Sequence, residues 1–148
     1  MYTTVKVVKW YSMGTIIKIS EAAVIALHAV DFMAKSDGKP CPARFIASEL
    51  RVSYNHLSKV MQRLTRAGLL VPGRGPKGGF LLSKKAKAGK LRDVFEAIDG
   101  KMSLSSCFLK AKVCEKPGCI FGALIPETSR KFSVAMNKTI SELSGVKS

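Results

Sequence analysis

The sequence predicts a mainly α-helical fold with one small β-hairpin, on three observations. Apolar residues recur at helical spacing from Tyr54 to Ala67, from Leu91 to Ile98 and from Ala123 to Leu143. Two apolar runs, Leu69-Leu70-Val71 and Phe80-Leu81-Leu82, flank a glycine-rich PGRGPKGG, the pattern of a two-stranded hairpin. Helix breakers, KSDGKPCP at 35–42 and Asp99-Gly100, separate the helical stretches. The 148 residues, 47% hydrophobic, suit one compact domain or one domain with an extension.

Residues 1–15 are expected to be a leader, disordered or strand-like. They hold no long apolar core and no small-residue cleavage site, so they do not read as a secretory signal. No apolar run reaches the 18 residues of a membrane span. The expected location is the reducing cytoplasm, where disulfides are rare.

Ile19 to Ala34 is apolar on nearly every side, with Ser20 as N-cap, and is expected to be buried between its own domain and a partner subunit. Ala43 to Leu50 reads as a short helix with Phe45, Ile46 and Leu50 inward. After the tight connection Arg51-Val52-Ser53, Ser53 caps a second helix that buries Leu57, Val60, Met61 and Leu64 and ends at Gly68. The hairpin follows, then the amphipathic Leu91 to Ile98. The last helix is expected to begin near Ile125, because Pro126 is tolerated only in a first turn.

Charge sharpens this outline. The formal net charge is +15, of which +12 lies between Lys35 and Arg92. A positive field concentrated there points to a polyanion, most often nucleic acid. Two short helices, a tight turn and a basic hairpin make a winged helix-turn-helix. An α-helix fits the major groove of double-stranded DNA, and its first residues reach base edges. Here these are Ser53, Tyr54, Asn55, His56, Ser58 and Lys59, with Arg63 and Arg66 placed to touch phosphate. At the wing tip, glycines let the backbone approach the duplex, and Arg74 and Lys77 supply cations. The glycine-rich tip lacks the phosphate-loop pattern and precedes a strand, which argues against nucleotide binding. No catalytic dyad and no Cys-x-x-Cys is present, so an enzyme is not expected.

Cys107, Cys114 and Cys119 crowd thirteen residues, CFLKAKVCEKPGC. Thiolates are soft ligands for zinc or iron–sulfur centres, and Lys110, Lys112 and Lys116 favour the thiolate form. Zinc wants four Cys or His ligands, and neither histidine is near in sequence. Direct thiol chemistry and inert thiols are the other readings. Cys41, between two prolines, reads as structural or incidental.

Taken together, IASELRVSYNHLSKVMQRLTRAGLL, RGPKGGFLL, LRDVFEAIDG, the three cysteines and a long helix resemble the Rrf2 family of bacterial winged-helix transcription regulators, over about Ile16 to Leu143. The wing is the most specific match, with Lys77 where the family has glycine and Phe80 where it has tyrosine. Ser58-Lys59 stands where some members carry Glu-Gln, so operator preference does not transfer. The resemblance implies a homodimer clasped by the C-terminal helix on a roughly palindromic operator. It implies a [2Fe–2S] or [4Fe–4S] cluster on Cys107, Cys114 and Cys119, through which a repressor or activator senses redox state, iron or nitric oxide. It divides the chain into leader 1–15, DNA-binding domain 16–100, cluster loop 101–122, and dimerisation helix and tail 123–148. The alternative within the same fold is a cluster-free thiol-switch or small-effector repressor. The fourth ligand stays open: relatives place a histidine where Gly122 stands, or an acid where Val24 stands. His28, one turn beyond Val24, is a candidate ahead of Glu21, Asp31 and Glu115, beside an ordinary core histidine there and an exogenous ligand or an open iron at the cluster.

Overall fold

The computed structural model describes residues 17–76, 78–109 and 119–145. Lys77, Cys114, Glu115 and the leader 1–15 lie outside the described residues. The chain divides into two compact units, one of Ile19–Met102 with Phe132–Ser148, the other of Met1–Lys18 with Ser103–Lys131.

The first unit is helical. Ser20 caps α1 (Glu21–Ala34) by accepting from the Ala23 N–H. Asp99, at the end of α5, takes the Ser20 N–H at 2.8 Å and the Ser20 hydroxyl as well. A carboxylate at a helix N-terminus also meets the positive end of the helix dipole. Asp99→Ala is therefore expected to lower stability by about 1–2 kcal/mol, read as a fall in the urea midpoint at constant slope. Ala23, Ala26, Ala29, Val30 and Met33 bury the inner face of α1. Its other face is open in this single chain: Val24 is 40% exposed, and Glu21 and His28 also face solvent.

Helix α2 (Ala43–Leu50) buries Ile46 and Ala47. Phe45, expected inward, is 52% exposed and packs edge-on against Phe32 at 5.7 Å. Ile46 and Ala47 take the side of α2 that meets the core, which leaves Phe45 on the side of Phe32. Arg51 turns the chain in the left-handed region, φ 53°, and the Val52 N–H closes on the Ala47 carbonyl at 3.0 Å. Helix α3 (Tyr54–Arg66) then buries Leu57, Val60, Met61 and Leu64, as its periodicity requires.

The hairpin pairs β1 (Leu70–Pro72) with β2 (Phe80–Leu82), antiparallel, Val71 opposite Leu81. Beyond it comes an element without an apolar stripe to announce it, α4 (Lys84–Ala88). Lys85 of this helix donates to the Ala67 carbonyl at 3.0 Å, and Ser83 to the Gly68 carbonyl at 2.7 Å, so the segment closes the end of α3. Helix α5 (Leu91–Asp99) adds Val94, Phe95 and Ile98 to the core.

The apolar pattern of 123–143 folds as two helices rather than one, α6 (Leu124–Met136) and α7 (Ile140–Ser144). Pro126 sits in the first turn of α6, where its missing N–H costs no helical bond. The break has a tertiary cause. The Lys138 carbonyl accepts the Leu91 N–H, and the Ile140 N–H donates to Gly89, each at 3.0 Å. Thr139 and Glu142 form a capping box that restarts the helix. Met136 and Ile140 enter the core, and Phe132 packs edge-on against Phe95 at 6.2 Å.

In the second unit, Ile125 is buried and Ser129 donates to the Ser105 carbonyl at 2.9 Å. Phe108 and Phe121 meet edge-to-face at 5.0 Å. No helix among the described residues is long and apolar enough to cross a membrane.

Candidate nucleic-acid interface and cysteine segment

Helix α3 presents a polar stripe opposite its buried one. Asn55, Lys59, Gln62 and Arg66 are all exposed and follow each other at four-, three- and four-residue steps. His56 and Ser58 lie at the flanks of that stripe and are half-buried. The Ser53 hydroxyl oxygen is engaged as the N-cap of α3, accepting from the His56 N–H at 3.4 Å. Arg63 is also exposed, and one nitrogen of its guanidinium donates to the Ile98 carbonyl of α5. That contact satisfies a carbonyl of the last turn of α5 and holds the arginine against its own domain. Arg66 was named from the sequence; Gln62 was not among those residues, and its spacing from Asn55 and Lys59 was the available signal.

The wing is anchored by backbone. Cys41 N–H donates to the Phe80 carbonyl at 3.0 Å, and Phe80 N–H donates back at 2.9 Å. Cys41 itself is buried, with its Sγ 3.4 Å from the Lys39 carbonyl, in keeping with a structural role. Arg74 is exposed at the tip. The 39–42 segment and the tip flank an open groove lined by Lys39, Pro40, Pro42, Arg74 and Pro76. A cation there suits phosphate or a narrow minor groove. Arg74→Ala is expected to weaken DNA binding roughly 5- to 10-fold across sequences and to lower the salt slope by about one; unchanged affinity in an anisotropy titration would remove the wing tip from the interface.

Elsewhere on this unit, His28 lines an open groove between α1 and α2 with Glu21, Val24, Glu49 and Leu50. It is exposed in this single chain.

Cys107 and Cys119 are both free thiols, half-buried and exposed respectively. The Leu109 N–H points at Cys107 Sγ at 3.4 Å, a donor suited to the negative charge of a thiolate. The Ser105 hydroxyl accepts the Cys107 N–H at 3.2 Å and donates to its carbonyl, which fixes the backbone there. The Phe108–Phe121 contact joins the two flanks of the cysteine segment. Among the described residues no three His, Cys, Asp or Glu side chains are grouped to hold a metal ion; Cys114 is not among them. The donor set fits a thiolate-bound centre, because soft sulfur ligands and an amide aimed at sulfur are what such a centre needs.

A helix-turn-helix, a basic wing and a recognition helix with a polar, cationic outer stripe define a winged-helix DNA-binding protein. The model of the Rrf2 family, described as an iron-dependent transcriptional regulator, matches residues 19–144. The chain belongs to the Rrf2 family; it is a transcription regulator and not an enzyme. It is 29% identical to the HTH-type transcriptional regulator IscR of Escherichia coli over 115 residues, 77% of this chain and 71% of that protein. CymR, the global cysteine regulator of B. subtilis, superposes with a TM-score of 0.65 at 22% identity, covering 89% of this chain and 99% of that one. The IscR of T. potens superposes with a TM-score of 0.60 at 18% identity, over 88% of this chain and 89% of that one.

Proposed function

We propose that the protein is a homodimeric regulator that reads a roughly palindromic operator and whose DNA affinity is set by an iron–sulfur cluster, [2Fe–2S] or [4Fe–4S], on Cys107, Cys114 and Cys119. The observation that carries this reading is the chemistry of the 107–119 segment: three thiol donors, one of which, Cys107, already receives a backbone N–H. The iron-dependent description of the family supports it.

Such a cluster supplies a redox-active, small-molecule-reactive centre. The chain's own residues do the rest. Ser105, Leu109 and the Phe108–Phe121 pair hold the flanks of the cysteine segment. Helix α6 starts in the cysteine-bearing unit and ends in the DNA-binding one. Ligated thiolates restrict the cysteine segment, and α6 is the element through which that restriction biases the spacing of two recognition helices on half-sites one DNA turn apart. His28, or an exogenous ligand, is the candidate for the remaining iron position.

A second reading is a thiol switch. It is favoured by the free thiols of Cys107, half-buried, and Cys119, exposed. One experiment separates the two. Operators are selected from a random duplex library, and protein reconstituted anaerobically with iron and sulfide is compared with apo protein on the winning duplex. The cluster reading expects bound iron and sulfide, visible absorption and at least a roughly tenfold affinity difference, within the range of allosteric coupling. A colourless protein whose affinity changes only with thiol oxidation leaves the switch, and equal occupancy in every state overturns both.

A further inference from the structure

We propose that Arg44 is a DNA-phosphate-binding residue held in place by the ring of Tyr54, which makes Tyr54 a platform for the arginine rather than a reader of bases. The proposal rests on the operator-binding reading above and names a contact outside α3 and the wing tip.

Arg44 is the second residue of α2 and Tyr54 the first of α3. The left-handed turn at Arg51 folds the two helices so that Arg44 Cζ lies 4.4 Å from the centre of the Tyr54 ring. A guanidinium on a ring is attracted by the negative face of the π system. Stacking occupies only that flat face. The N–H groups, which lie in the guanidinium plane, stay open at the edge, in the fork geometry that matches two phosphate oxygens.

No carboxylate among the described residues forms an ion pair with Arg44. The one ion pair among the described residues is Lys35–Asp31. Between Ser36 and Arg92 the acids are Asp37 and Glu49 alone. Glu49 is five positions along α2 and lines the groove beside α1, about 140° round the helix from Arg44. Arg44 and Tyr54 are both exposed, so the pair does not serve the core.

Its place in the fold says which partner it meets. Cys41, three residues before Arg44, pairs with Phe80 of the wing, and Tyr54 opens the recognition helix. The first turn of α2 thus connects the two DNA-facing parts, beside the groove lined by Lys39 and Arg74. In helix-turn-helix proteins the helix before the recognition helix crosses the sugar–phosphate backbone. An arginine already ordered on a ring there gives up less rotamer freedom on binding a phosphate than a free one does.

The test uses the full-length protein, the selected operator and a scrambled duplex of equal length, titrated by anisotropy at several salt concentrations. Arg44→Ala is expected to weaken both duplexes about 5- to 20-fold and to lower the slope of log K against log salt by about one. Tyr54→Leu is expected to weaken both about 2- to 5-fold through loss of the stack, and Tyr54→Phe, which keeps the ring, to leave affinity and operator preference unchanged. Thermal melts confirm that each variant is folded at the temperature of titration. An unchanged salt slope in Arg44→Ala overturns the phosphate contact. Loss of operator preference in Tyr54→Phe overturns the platform, since the hydroxyl would then be reading a base. A wild-type protein that binds both duplexes equally sinks the operator reading instead, and the slope of Arg44→Ala still decides the phosphate contact.

Discussion

Cys114→Ala is expected to reduce iron and sulfide to background after anaerobic reconstitution, while the chain stays folded. Three thiols within Cys107–Cys119 constitute the proposed ligand set, and a cluster left with two thiolates is exposed to solvent and loses its iron. The fold should survive because the hydrophobic core is assembled from Ile19–Met102 and Phe132–Ser148, in which these cysteines have no part. Cys41→Ala is the control. Its thiol is buried against the Lys39 carbonyl at the base of the wing, so its removal should leave the iron content as it was. Stoichiometric iron in Cys114→Ala, or its loss in Cys41→Ala, would show that the ligand set is misassigned.

Gly79→Ala is expected to be the most damaging single change in the wing. A Cβ at Gly79 would stand 2.8 Å from the Cys41 carbonyl carbon, 2.9 Å from its oxygen and 2.9 Å from Pro42 N. All three are backbone atoms and cannot swing aside. Gly79 also sits at φ +125°, where L-residues are strained. The two effects together should cost about 2–5 kcal/mol and part the wing from the 39–42 segment, lowering DNA affinity more than Arg74→Ala does. Gly78→Ala is the comparison: nothing lies within 4 Å of its Cβ and φ is +50°, so about 1 kcal/mol is expected. Urea unfolding of the pair measures the difference. Equal midpoints would mean that the wing base yields easily and that the close packing of Gly79 on Cys41 is unimportant.

Several features of this chain are written locally. Helix α3 could be read from its N-cap Ser53, its four-residue apolar stripe and the Gly68 that follows. Each of those signals acts within one or two helical turns, which is why the boundaries agree to a residue. The same holds for α1 and α5, whose ends are marked by Ser20 and Gly100. The glycine-rich tip between two apolar runs identified the hairpin, although its first strand begins one residue later than the apolar run.

Other features have no local signature. Helix α4 was silent because its KKAKA carries no apolar stripe; it closes α3 through Lys85. The interruption between α6 and α7 is imposed by Gly89 and Leu91, about fifty residues away. Arg63 resembles any cation on a recognition helix until the Ile98 carbonyl is found within its reach. The outward Phe45, the exposed His28 and the Arg44–Tyr54 stack likewise depend on how helices meet.

By itself, the sequence determined the class: a buried helical core, a recognition helix followed by a basic wing, and three thiols in one short segment. Periodicity, caps and composition are short-range properties, so they survive without knowledge of packing. Only the tertiary structure decided which cations reach a carbonyl of their own domain, as Arg63 and Lys85 do. That choice depends on partners distant in sequence, and a side chain several bonds long has no direction until its neighbours are in place.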